Sequence, residues 1–191
     1  LTPKIPPPTP WTRRAPIVHA LLAAAFSLTA HATAPDSLLQ DLERRATRAN
    51  ADAVNAHLAA HWTSAMVPLN RKTAACELHA VSLAVRLSRS SNARAVHAHG
   101  EALRTASGGC ARFVLAMVSP AEVPHYCASV ASWGVVQTAR ELRRRIADID
   151  ADELLRTSAR GKACRAAYVY ELENTRVVVK RAAAGGRVAG R

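Results

Sequence analysis

The chain has 191 residues, 49% hydrophobic but only 4% aromatic, and carries 26 Lys and Arg against 14 Asp and Glu for a formal charge of +12. That length suits one domain with a sizeable core, and the charge favours anionic partners such as nucleic acid, acidic lipid or acidic polysaccharide. GxSxG, Walker-type and dinucleotide-binding signatures are missing, as are zinc-finger, RNA-binding and repeat patterns, which excludes the classes that depend on them. Lys is scarce beside Arg, a bias that GC-rich coding alone produces, so charge by itself does not establish a partner.

The opening LTPKIPPPTPW is Pro-rich and suits a polyproline segment rather than a core. Arg13 and Arg14 then precede an apolar stretch, Ala20 to Leu28, and the small-x-small triplet Ala30-His31-Ala32. Basic start, short apolar core and cleavage site in that order predict a signal peptide cut after Ala32. The core is too short for a membrane span, which takes roughly 20 apolar residues. The absence of Cys at the cut argues against a lipoprotein anchor. Residues 1–32 are therefore read as a Pro-rich start plus cleavable signal, 33–181 as a single helical domain, and 182–191 as a flexible basic tail. Removing 1–32 takes Lys4, Arg13 and Arg14 and no acid, so the charge falls to +9. The product is expected in the periplasm or outside the cell, without a transmembrane anchor and away from genomic DNA.

Ala, Leu and Arg dominate the rest, and Gly and Pro sit mostly at boundaries, which predicts an all-α, disulfide-stapled bundle of about five helices. The first runs from Asp36 with a seam of Leu39, Leu42, Ala46, Ala49, Ala53, Ala56 and Ala60, finishing at Trp62 and a Met66-Val67-Pro68 turn. Thr73 is expected to cap a second helix with Leu78, Val81, Val85 and Cys76 inward. Ser88 to Asn92 breaks it, and Asn92 caps a third helix carrying Val96, Leu103 and Ala106, ended by Gly108-Gly109. Cys110 to Val118 is apolar on all sides and should be central. Ser119-Pro120-Ala121-Glu122 is a capping box expected to open a long helix with the stripe Val135, Ala139, Leu142, Ile146 and Ile149, kinked at Pro124. A second box, Asp150-Ala151-Asp152-Glu153, opens the last long helix through Leu154, Leu155, Tyr168 and Leu172, with Gly161 as its weak point. Val177-Val178-Val179 fits a frayed helical end or a short strand.

Cys76, Cys110, Cys127 and Cys164 form an even set, and in an exported domain they predict two disulfides with three possible connectivities. Cys110 lies nine residues before Ser119 and Cys127 eight after it. A tight turn there would bring them level and nest Cys110–Cys127 inside Cys76–Cys164. The rival, Cys76–Cys110 with Cys127–Cys164, fits the break at 90–92. It suits the 150 turn poorly, because Cys127 stands much farther from that turn than Cys164 does. Disulfide use also explains Cys110 better than a nucleophile role at the Gly108-Gly109 turn with His125 or His99.

His57 and His61 stand at i and i+4 on one helical face, a spacing used for zinc and copper. They make half a site, to be completed by His79, His97, His99 or His125. The densest basic cluster, Arg140, Arg143, Arg144 and Arg145, is the candidate anion-binding surface, tempered by Asp148, Asp150, Asp152 and Glu153; Arg144 and Asp148 can pair at i, i+4. No catalytic residue and no cofactor is expected. The expectation is a non-enzymatic exported module for a macromolecular or envelope partner. The alternatives are a periplasmic metal-binding bundle using His57 and His61, and an enzyme whose site sequence does not reveal.

Overall fold

The computed structural model describes residues 36–130 and 134–185, with side chains described as far as residue 177. The predicted signal segment, its cleavage point and residues 186–191 of the predicted tail lie outside the described residues. Among the described residues helix is the regular structure throughout: α1 (Ser37–Arg48), α2 (Ala51–Ala60), a single π turn (Trp62–Met66), α3 (Val67–Ala74), α4 (Leu78–Leu87), α5 (Ala93–Ala106), α6 (Ala111–Met117), α7 (Val123–Tyr126), α8 (Val135–Ala151), α9 (Glu153–Thr157) and α10 (Ala159–Gly185). The all-α, disulfide-stapled architecture is the one expected, but the predicted long helices are cut shorter.

Asn50 divides the first. Its side chain accepts from Ala53 N at 2.9 Å and caps α2, while Ala49 is extended. Asn competes with helical backbone bonding through such local contacts. The break changes register: Val54, Asn55 and Leu58 are buried, whereas Ala53, Ala56 and Ala60 of the expected seam are exposed. Pro68 is no terminator. It sits in the first turn of α3, and because it lacks an N–H the chain widens just before it into the π turn. Thr73 caps nothing either; it is buried in the last turn of α3, with Oγ1 donating to Leu69 O at 3.0 Å.

Two hydrophobic cores result, and α4 is a wall of both. Ala80, Leu83 and Leu87 join Leu39, Leu42, Val54, Leu58, Met66 and Leu69. Val81, Ala84 and Val85 join Leu103, Val114, Leu115, Leu142, Ile149, Tyr168 and Leu172. A helix buried on two sides needs the apolar density of LHAVSLAVRL. Leu78, expected inward, is instead 53% exposed. Of the expected α8 stripe, Leu142 and Ile149 are buried while Val135 is exposed. Cys110–Val118 buries Val114 and Leu115, but Met117 faces solvent.

The disulfides are Cys76–Cys110 and Cys127–Cys164, with Cα separations of 6.0 and 5.2 Å. The nested pairing is wrong, and the reason is local. Half of the Ser119 capping box forms, Ser119 N donating to Glu122 Oε2 at 2.7 Å. It opens only a turn and the four-residue α7, which has Pro124 in its first turn. The long helix starts at Val135, capped by Gly134. Cys127 therefore never lies on a helix opposite Cys110; it ends α7, which packs on α10 beside Cys164. The same late start of α8 removes the objection to the rival pairing.

Cys76 has φ 64°, in the left-handed region. Its N–H reaches Thr73 O and Glu77 N–H reaches Lys72 O, each at 3.0 Å, a Schellman ending of α3 in which Cys holds the place usual for Gly. The second capping box caps only α9, through Asp152 to Leu155 N at 3.1 Å. The chain breaks at Ser158 and restarts as α10, which runs through residues 177–179 to Gly185. Gly161 is the closing point of that corner: a Cβ there would lie 1.8 Å from Leu155 O.

Candidate anion-binding cleft

The turn at Ala49–Asn50 folds α2 back beside α1 and leaves a cleft of about 540 Å³ between them, lined by Asp41, Arg44, Arg45, Arg48, Ala53, Val54 and His57. Helical spacing brings Arg44, Arg45 and Arg48 to the same end of α1. There the carbonyl end of the helix dipole favours cations. Asp41 serves two of them, accepting from Arg45 Nε at 2.7 Å and lying 3.6 Å from Arg44 Nη2. The Arg45 hydrogen bond is the main reason its carboxyl is held below the ordinary range. Arg48 is exposed and makes no ion pair among the described residues. One carboxylate against three guanidiniums leaves the cleft positive and open to solvent.

His57 joins these arginines. Burial, then Arg45 and His61, push its imidazole pKa down, so the ring is neutral at pH 7 and acts by hydrogen bonding. Its ring lies 4.3 Å from that of His61, whose Nδ1 donates to His57 O at 2.9 Å. The two predicted ligands thus share a face. No third His, Cys, Asp or Glu gathers with them among the described residues.

The α8 cluster is broken up. Arg145 is 3% exposed: Nη1 donates to Arg104 O at 2.6 Å and to Tyr168 Oη at 3.2 Å, and Nε to Glu141 Oε1 at 3.1 Å. It slides beneath Gly108, where a Cβ would come within 2.5 Å of its Nη2. Arg144 grips Glu141 and, as expected, Asp148 at 2.6 Å, and donates to Gly108 O at 3.1 Å. These arginines hold Glu141 down at about 2, Arg144 contributing most. Arg145 is therefore not a surface anion contact, and of the four only Arg140 and Arg143 are exposed with no ion pair among the described residues.

His99 is fully buried, Nε2 lying 3.0 Å from Asn55 Oδ1 and Nδ1 2.8 Å from the Asn70 amide, while Asn55 Nδ2 donates to Leu87 O. This network ties α2, α3, α4 and α5 together, and burial pushes His99 down to about 4. His79 is exposed near Glu43. His97 and His125 line a pocket of about 500 Å³ with Arg89, Arg104, Glu122 and Tyr126. In that pocket Arg89 pairs with Glu122, Arg104 bonds His125 O, and Tyr126 bonds Ser88.

The sequence passage ERRATR, residues 43–48, holds the arginines that sequence reasoning passed over. The signal was their i, i+1, i+4 spacing just before a capping Asn. No protein-family model, no curated protein and no solved structure matches the chain.

Proposed function

We propose that the chain is an exported, non-enzymatic helical module that holds an anionic macromolecule or envelope component in the α1–α2 cleft. The observation that carries this reading is the charge imbalance there: Arg44, Arg45 and Arg48 against Asp41 alone. Guanidiniums recognise sulfate, phosphate and carboxylate in bidentate fashion, and His57 adds a neutral hydrogen-bonding group at the cleft wall. Two disulfides fit an oxidising compartment, periplasmic or extracellular. No described helix is long and apolar enough to cross a membrane. Fluorescence anisotropy of a labelled heparin oligosaccharide tests the reading. Saturable binding that Arg45→Gln/Arg48→Gln weakens supports it, and binding that this variant leaves unchanged refutes it. The paired rings of His57 and His61 favour a second reading, a metal-binding face. Its test is calorimetric titration with zinc, where heat lost in His61→Ala would support it.

A further inference from the structure

A second groove, of about 460 Å³, runs between α6 with the turn after it and the corner of α9 and α10. Leu115 and Pro120 belong to one wall, Leu154 and Leu155 to the other, and Arg112 and Arg160 to the lining as well. Leu154 is 63% exposed. A leucine left in water beside an apolar trench marks a surface that gains by being covered. The volume is that of small-molecule sites, which span about 300–1,000 Å³.

The two arginines differ. Arg112 is already bound to Asp152. Among the described residues Arg160 makes no ion pair and its buried Nε finds no hydrogen-bond partner. A buried, unbonded N–H on a cation is a standing cost that an incoming anion removes once the long side chain rotates toward it. Ala159 and Arg160 also form the first turn of the 27-residue α10, so its positive dipole end stands at the same place.

We propose that this groove binds one free long-chain fatty acid, the acyl chain lying along Leu115, Pro120, Leu154 and Leu155 and the carboxylate on Arg160. A single negative charge matches the single uncompensated guanidinium. A polyanion would have to break the Arg112–Asp152 pair to gain a second contact. The site is separate from the α1–α2 cleft and does not depend on it.

The test is titration of the full, disulfide-bonded chain with the fluorescent fatty acid cis-parinarate, displaced by palmitate or by uncharged hexadecanol. Saturable binding at one molecule per chain is expected, with palmitate displacing about tenfold better than hexadecanol, the value of one charged hydrogen bond. Leu154→Asp, at an exposed position that leaves the fold intact, should cost more than about tenfold in affinity. Arg160→Gln should abolish the preference for palmitate, and Arg160→Lys should restore part of it. Arg45→Gln/Arg48→Gln should bind parinarate like the wild type, which separates this site from the cleft. The proposal is overturned by no saturable binding below micelle-forming concentrations, by association with anionic vesicles alone, by unchanged affinity in Leu154→Asp, or by an unchanged palmitate preference in Arg160→Gln.

Discussion

The core around α1–α3 and the core around α6–α10 are fastened by different means. The first relies on apolar packing and one buried imidazole–amide network, Asn55–His99–Asn70. The second takes up all four cysteines and buries Arg145 against Glu141, Arg104 O and Tyr168. Arginines follow the same division. On α8 two of four are spent on holding structure, whereas on α1 three line an open cleft with one acid among them. Charge density in a sequence therefore says little about a binding surface until burial shows which charges are already committed.

The largest expected effect is at Arg145. Arg145→Met should cost about 2–3 kcal/mol in urea unfolding, because it takes one of two cations from Glu141, which keeps Arg144, and leaves two buried acceptors, Arg104 O and Tyr168 Oη, without their donor. Arg140→Gln, five residues before it and exposed, should change stability by less than about 0.5 kcal/mol. Equal, small effects would erase the distinction between structural and surface arginines.

Acid should loosen the two cores in sequence. His99 is buried neutral with its pKa lowered to about 4, so the unfolded chain binds the extra proton first. Its contribution is whole above pH 6.5 and lost as pH falls toward 4, up to about 3 kcal/mol. Glu141 and Glu122, each held at about 2, contribute above pH 4.5 and lose that contribution only below it. Hydrogen exchange should show α2 and α5 opening between pH 6.5 and 4 while α8 and α10 stay protected. In His99→Gln the upper window should flatten and the lower one persist. Simultaneous opening below pH 4.5 would contradict the order.

Cys76 refines the disulfide side of the comparison. With the bridge removed in both chains, Cys76→Gly/Cys110→Ser should be more stable than Cys76→Ser/Cys110→Ser by roughly 1 kcal/mol, because only Gly adopts positive φ freely. Equal midpoints in thermal unfolding would show that the left-handed ending relaxes once the bridge is gone.

Helix content, the Asn92 cap, the Gly108-Gly109 stop and the Arg144–Asp148 pair were legible in the sequence, since each depends on neighbours along the chain. What was hidden depends on tertiary company. Asn50, Ser119 and Asp152 all resemble helix starts. Whether a start propagates depends on the face it must bury, so the Ser119 box closed one turn and the α8 helix waited until Val135. The disulfide pairing followed that error. Arg145 looked like surface because Arg usually is, and nothing local announces the opening beneath Gly108 that admits it.

The most direct test of the cleft is retention on immobilised heparin across a salt series, comparing Arg45→Gln/Arg48→Gln with Arg140→Gln/Arg143→Gln. Polyanion binding weakens with salt in proportion to the contacts made, by roughly one logarithmic slope unit per contact. The α1 variant should elute earlier with a slope shallower by nearly two, its stability unchanged within about 0.5 kcal/mol since exposed pairs contribute little. The α8 variant should elute close to the wild type. Equal losses in both, or a loss confined to the α8 variant, would contradict the assignment of the anion site to the α1–α2 cleft.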